Sequence, residues 1–246
     1  LTPTSRGQSK FKWQRHLVFH AGCRPFCKGE EICVKHVLCF GDSNTWGFIP
    51  GTCKRYDEHT RWTGVLQDEL GADWRIHGNG QNGRTTVFPE PGKNFMTGLG
   101  ALPYALDTLR PLDTIIIMLG TNDLKEHSAQ ASVNGVGTLI RTIQTFDQLY
   151  PASVPLFGDS KPRILVLTPI EIGENVAEWD TLYGKGQESR KFPALMKGLC
   201  EWLGVEMMNT QEIVQPSKVD GIHMMPEEHR KLALAVRDRL LGLVKA

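Results

Sequence analysis

Short apolar segments alternate with stretches of helical periodicity along this chain, and this alternation constrains the fold more than any other feature. The apolar segments are rich in aliphatic and β-branched residues and have the length of buried strands. Parallel strands that alternate with helices need crossover connections, which place helices on both faces of the sheet. The predicted strands span residues 36–40, 74–77, 114–119, 164–168 and 205–208.

The segments between the predicted strands have the spacing of amphipathic helices. Together the two patterns predict an α/β protein, namely a single doubly wound (flavodoxin-like) three-layer domain with a five-stranded parallel sheet. The 246 residues suffice for one large core, and no linker interrupts them, so we assign this domain to residues 35–246. The predicted helices span residues 62–70, 104–109, 133–150, 192–203 and 226–244.

Residues 1–34 differ from the rest of the sequence, because they are basic and show no persistent strand or helix period. Three cysteines, Cys23, Cys27 and Cys33, fall in this segment. We expect the segment to be a leader outside the core. Cys39 and Cys200 fall in strand and helix patterns, as buried free thiols do, which favours a reducing, cytoplasmic location.

The charge balance points away from polyanionic partners. The chain has 28 Lys and Arg against 27 Asp and Glu, a net charge of +1. Such a chain has no general attraction to nucleic acid or to anionic lipid. We therefore expect a small-molecule substrate, no nucleic-acid or membrane partner, no cofactor and no metal.

The tetrapeptide Phe-Gly-Asp-Ser occurs twice, and its position relative to the strands separates the two serines. Ligands of doubly wound folds bind beyond the carboxyl ends of the strands. Ser43 follows the first predicted strand directly, whereas Ser160 precedes the strand that begins at Ile164. Ser43 is therefore the candidate nucleophile, and Ser160 is expected at the opposite edge or in a surface turn.

Groups that a serine nucleophile needs follow other predicted strands. Asp220 and His223 lie three residues apart before the last helix, a spacing that lets the carboxylate orient the imidazole. Asn122 follows the third strand and offers an amide donor for a developing oxyanion. A glycine-rich stretch, residues 78–86, follows the second strand and can expose backbone N–H groups.

These residues resemble, in order, the four sequence blocks of the SGNH hydrolases, also called the GDSL esterase/lipase family. The sequences "LCFGDSNTWG" and "IIIMLGTNDLK" are similar more particularly to the bacterial arylesterase and acyltransferase branch. The matching blocks are Gly41-Asp42-Ser43, Gly83 within "NGRTT", Gly120-x-Asn122-Asp123 and Asp220-x-x-His223.

The resemblance assigns a role to each block. It implies that Ser43 is the nucleophile, that His223 is the general base and acid, and that Asp220 holds the imidazole. It also implies an oxyanion hole made of the backbone N–H groups of Ser43 and Gly83 and the side chain of Asn122.

The surroundings of the nucleophile supply candidate pocket residues. We expect Trp46, Asp42 and Arg84 to line the substrate pocket, with Trp46 narrowing the acyl site as the resemblance implies. Asn44 departs from the family name, which has leucine there, and we expect this departure to leave the chemistry unaffected.

These observations predict a serine esterase that hydrolyses short-chain acyl or aryl esters through an acyl-enzyme on Ser43. Acyl transfer to alcohols or peroxide remains open, as do a carbohydrate O-acetyl esterase, a long-chain lipase and a non-catalytic ligand-binding module. The resemblance also implies a homo-oligomer, assembled through the loops at residues 151–161 and 171–191.

Overall fold

The computed structural model describes residues 34–90, 96–158 and 163–242. Their five strands form one all-parallel sheet in the order β2-β1-β3-β4-β5. This confirms the doubly wound fold and the five strands predicted from the sequence. The strands are β1 (Lys35–Gly41), β2 (Trp74–Gly80), β3 (Thr114–Met118), β4 (Ile164–Leu167) and β5 (Glu206–Met208).

Helices cover both faces of this sheet, and none among the described residues is long and apolar enough to cross a membrane. Short 3₁₀ helices follow β3 at Thr121–Lys125 and β5 at Thr210–Glu212. The α-helices are α1 (Ser43–Trp46), α2 (Trp62–Leu70), α3 (Gly98–Leu109), α4 (Ala129–Gln144), α5 (Phe146–Leu149), α6 (Gly186–Ser189), α7 (Phe192–Leu203) and α8 (Pro226–Leu240).

Successive side chains of a strand point to opposite faces of the sheet, so alternate strand residues pack into two separate cores. In β1, Leu38 and Phe40 pack into the core under α3, α4 and α7. Val37 and Cys39 pack into the core under α2 and α8. The three-layer arrangement follows from this division of one apolar strand between two faces.

Several helix boundaries differ from the sequence prediction: α4 begins at Ala129 rather than at residue 133, and α8 ends at Leu240 rather than at residue 244. The predicted helix 133–150 is interrupted at Thr145, whose hydroxyl donates to the Arg141 carbonyl at 2.8 Å. Helix α3 begins at Gly98, six residues earlier than predicted, because burial of Leu102 outweighs the low helix propensity of the glycines and proline around it.

The register of the parallel strands places the loops that carry the candidate site residues at one edge of the sheet. Gly41, at the carboxyl end of β1, pairs with Gly80 of β2 and with Met118 of β3. Strand β2 includes residues 78–80 of the predicted glycine-rich stretch, and the loop proper begins at residue 81. Ser43, this loop and Asn122 emerge together, at the point where the chain order of the strands reverses. Ser160, Cys23, Cys27, Cys33 and the rest of residues 1–33 lie outside the described residues, so the expectations about them stay predictions.

A close backbone approach joins β2 to the helix that carries Ser43. A Cβ atom added to Gly80 would lie 2.1 Å from the Trp46 backbone nitrogen. Only glycine permits this approach, since the obstacle is backbone and cannot rotate away.

We expect Gly80→Ala to lower the melting temperature, because α1 must move away from β2. The matched control is Gly198→Ala in α7, where an added Cβ meets nothing within 4 Å and Ala is favoured over Gly by about 0.5–1 kcal/mol. Thermal unfolding by circular dichroism measures both variants. Equal melting temperatures for Gly80→Ala and the wild type would contradict the packing described here.

Candidate active site

The candidate nucleophile lies in a tight turn between β1 and α1. Asp42 caps α1, and its Oδ1 accepts the backbone N–H of Asn44 at 3.0 Å. Ser43 is the first residue of α1 and is 8% exposed. Within the described part of the chain we find no acceptor for its backbone N–H, as expected for the first turn of a helix. That N–H is therefore available to a ligand oxygen.

A second turn carries the imidazole. Asp220 Oδ2 lies 2.8 Å from His223 Nδ1, and Asp220 Oδ1 accepts the backbone N–H groups of Ile222 and His223, each at 3.0 Å. Gly221, between them, has a φ of 72°, a left-handed conformation that favours glycine. Burial acts to raise the pKa of the Asp220 carboxyl, but these hydrogen bonds outweigh it and lower the pKa below its usual value.

The two turns meet at the serine. His223 Nε2 lies 2.9 Å from Ser43 Oγ, although the residues are 180 positions apart in the sequence. Because an ionised Asp220 accepts the Nδ1 proton, Nε2 of the neutral imidazole is the free acceptor for the serine proton. The Phe48 ring stacks on the imidazole at a centroid distance of 4.4 Å. The structure thus brings Ser43, His223 and Asp220 into one hydrogen-bonded chain.

Two further donors lie at the same sheet edge. Asn122 is in the 3₁₀ helix after β3, and its Nδ2 donates one proton to the Arg84 carbonyl at 3.1 Å, which leaves the second amide proton available. Gly83 has a φ of 73°, and its N–H has no acceptor among the described residues. Asn122 is thereby tied to the loop that carries Gly83.

The buried carboxylate of Asp123 holds the loop that carries Gly83 in place through hydrogen bonds. It accepts the Thr86 backbone N–H at 2.8 Å, the Thr86 hydroxyl at 2.7 Å and the Ser132 hydroxyl at 2.7 Å. Burial raises the pKa of Asp123, against the effect of the hydrogen bonds from Ser132 and Thr86. Asp123 holds the 78–86 loop, the 3₁₀ helix and α4 together.

Two residues expected in the substrate pocket are placed elsewhere. Arg84 is 4% exposed and donates to the carbonyls of Gly41 at 2.9 Å and Asn79 at 2.6 Å. Its burial lowers its pKa to about 10. Asp42 is 2% exposed and serves as a helix cap. Both side chains are used within the protein, because the strand ends leave buried backbone groups that need partners.

Trp46, the third expected pocket residue, is partly exposed. Its ring lies 6.3 Å from that of Phe48, which covers His223, and the Arg55 guanidinium lies 4.9 Å above it. The Phe48 ring therefore contacts both Trp46 and the imidazole of His223.

The chain matches the sequence model of the GDSL-like lipase/acylhydrolase family over residues 39–231. This match includes every residue of the hydrogen-bonded chain. The protein belongs to the GDSL-like lipase/acylhydrolase family. It is accordingly a carboxylic ester hydrolase of the SGNH type.

Solved structures of esterases resemble this family member over most of its length. The aryl esterase of M. smegmatis is 30% identical, with a TM-score of 0.78, and the alignment covers 86% of this chain and 100% of that one. Est24, a carbohydrate acetylesterase from Sinorhizobium meliloti, is 32% identical with a TM-score of 0.77, covering 85% and 100%. A putative arylesterase from Agrobacterium tumefaciens str. C58 is 30% identical with a TM-score of 0.74, covering 86% and 100%. A search of curated protein sequences finds no match.

A cavity of about 640 Å³ opens beside Asn122 in this GDSL-like protein. Its wall includes Phe88 and His127, whose rings stack at 3.8 Å, and the ion pair of Lys125 with Glu90 at 2.7 Å. No sequence pattern marks Phe88, Glu90 or Lys125 as cavity residues. The position of His127, five residues after Asn122, is the one signal that points to the pocket.

The buried carboxyl of Asp42 makes the stability of this protein depend on pH. Burial raises its pKa to about 6, although the Asn44 N–H and the charges of His223 and Arg84 act in the opposite direction. Since the folded protein keeps this proton where the unfolded chain has released it, stability decreases as the pH rises from about 4 to about 6.

We expect Asp42→Asn to be more stable than the wild type at pH 8, by as much as about 3 kcal/mol, because the amide still caps α1 without a buried charge. The difference should shrink toward pH 4, where the wild-type carboxyl is protonated in the folded protein and about half protonated in the unfolded chain. Urea unfolding between pH 4 and pH 8 measures this. A stability difference that is independent of pH would contradict the buried-charge explanation.

Proposed function

We propose that this GDSL-like protein hydrolyses small carboxylic esters, with short acyl groups, through an acyl-enzyme on Ser43. The observation that carries the proposal is the 2.9 Å approach of His223 Nε2 to Ser43 Oγ, with Asp220 on the other ring nitrogen. A serine without such a base would keep its proton and remain a poor nucleophile.

In the acylation step, Ser43 Oγ attacks the ester carbonyl carbon while its proton moves to His223 Nε2. The ionised Asp220 stabilises the imidazolium that forms. The carbonyl oxygen gains negative charge, and the N–H groups of Ser43 and Gly83 with the amide of Asn122 are the donors available to it. When the tetrahedral intermediate collapses, the alcohol leaves with the proton of His223.

The deacylation step uses the same groups in reverse order. His223 removes a proton from water, the resulting hydroxyl attacks the acyl carbon, and Ser43 Oγ leaves with the proton from the imidazolium. An alcohol or peroxide that takes the place of this water would receive the acyl group instead. Acyl transfer therefore needs no additional residue and depends on which acceptor reaches the acyl-enzyme.

The cavity supports a small substrate. At about 640 Å³ it falls in the usual size range of small-molecule sites, and it offers both stacked rings and charged groups. Its charged groups also favour a second candidate within the same chemistry, the removal of acetyl groups from carbohydrate hydroxyls. We also predict that the protein binds a small-molecule substrate, forms a homo-oligomer and is located in the cytoplasm.

Ser43→Ala should abolish hydrolysis of p-nitrophenyl acetate, with a loss of about 10⁴-fold or more in kcat, because no acyl-enzyme can form. Ser160→Ala, which changes the other copy of the Phe-Gly-Asp-Ser tetrapeptide, is the matched control and should retain the wild-type rate. Acetate should be turned over faster than butyrate, and butyrate faster than octanoate.

A fluorophosphonate probe separates the enzyme from a binding module on the same fold. It should label Ser43 rapidly in the wild type and in Ser160→Ala. If neither labelling nor turnover depended on Ser43, the esterase proposal would be abandoned in favour of the binding module. A rate that increases beyond about eight acyl carbons would instead indicate a long-chain lipase, because such a chain needs a longer apolar groove.

Asn122→Ala should lower kcat about 10²- to 10³-fold, since it removes one oxyanion donor. The free energy of unfolding should fall by about 1–3 kcal/mol, because the Arg84 carbonyl loses its partner. Asn134→Ala on the exposed face of α4 is the control and should change neither quantity appreciably. Unchanged kcat in folded Asn122→Ala would remove this amide from the oxyanion hole.

A further inference from the structure

Asn44, the residue after the nucleophile, contacts the backbone on both sides of His223. Its Nδ2 donates to the Ile222 carbonyl at 3.2 Å, and its Oδ1 accepts the Met224 N–H at 3.1 Å. Asn44 is 3% exposed, so water does not compete for either bond. One side-chain amide is thus hydrogen-bonded to the residues on both sides of His223.

We propose that Asn44 is a positioning residue that sets the distance between the nucleophile and the general base. The inference rests on the proposed function, in which His223 takes the proton of Ser43. Asn44 and Ser43 are consecutive residues of α1, so the helix that presents Oγ also anchors the loop that presents Nε2. We call this pair of hydrogen bonds the amide clamp.

The other contacts of His223 do not perform this task. Asp220 bonds the imidazole and the backbone N–H of His223, but it belongs to the same loop and moves with it. Phe48 covers the ring face and supplies no directional bond. Between residues 42–47 and 217–225, the described hydrogen bonds are the amide clamp and the Ser43–His223 bond itself.

The chemistry of the clamp requires an amide. A carbonyl oxygen and an N–H must be satisfied at once, and a carboxamide offers one donor side and one acceptor side at that separation. Leucine, the residue in the family name, fills a similar volume and satisfies neither group. The sequence alone predicts that the departure from leucine at Asn44 leaves the chemistry unaffected. The clamp instead gives Asn44 a positioning role.

The test compares Asn44→Leu with Gln67→Met. Gln67 is a matched amide away from the nucleophile: it donates to the carbonyls of Gly71 and Trp74 and accepts the Ile76 N–H. Both substitutions remove buried or partly buried amide bonds to the backbone, so both should lower the melting temperature. Only Asn44→Leu should affect the reaction.

For p-nitrophenyl acetate we expect kcat of Asn44→Leu to fall about 10- to 100-fold, as a small misplacement of the base does, with KM within about twofold of wild type. Gln67→Met should retain wild-type kcat. The low-field proton resonance of His223 Nδ1 should shift or broaden in Asn44→Leu alone. Asn44→Asp keeps the shape and the acceptor but loses the donor, and it should lie between wild type and Asn44→Leu.

Unchanged kcat and an unchanged imidazole resonance in folded Asn44→Leu would overturn the clamp and leave the esterase proposal intact. If Asn44→Leu does not fold, Asn44→Asp decides by the same two measurements. Wild-type turnover that is insensitive to Ser43→Ala would refute the proposed function instead. The resonance would then judge the clamp alone, since it reports the imidazole without needing ester turnover.

Discussion

The contact between Ser43 and His223 depends on the register of the parallel sheet. The two residues are 180 positions apart, and a separation of 2.9 Å requires that the first strand end and the last loop of the chain meet. The parallel register makes this possible, because Gly41, Gly80 and Met118 end at the same level of the sheet. Any slip of one strand would move a loop away from the other two.

Three aspartates around this contact, the buried Asp42 and Asp123 and the partly buried Asp220, show how hydrogen bonding decides where negative charge resides. Asp220 accepts three hydrogen bonds from its own turn, which together outweigh burial and keep its pKa low. For Asp42 and Asp123, burial has the larger effect and the pKa rises. The firmly ionised carboxylate is therefore the one that contacts the imidazole, where a developing positive charge needs it.

The sequence predicts which residues meet at the candidate active site better than it predicts the side chains around them. The sequence predicts that Ser43, Asn122 and the Asp220 turn meet, because each follows a strand and parallel strands bring their ends together. The burial of Arg84 is not predictable from the sequence, because its guanidinium donates to the carbonyls of Gly41 and Asn79, which only the folded structure brings beside it.

The same reason explains the other differences between sequence and structure. The clamp by Asn44 spans loops that are distant in the sequence, so no local pattern marks it. Helix α3 began earlier than expected because tertiary burial overcame propensity.

The side chains that line the cavity differ in what else they hold. Phe88, Glu90 and His127 line it together with Asp123. The buried carboxylate of Asp123 also accepts two hydrogen bonds from Thr86 and so holds the loop after β2. Substitutions of Phe88, Glu90 or His127 would change the cavity and leave those two bonds in place, so the shape of the cavity can vary during evolution while the loop stays anchored.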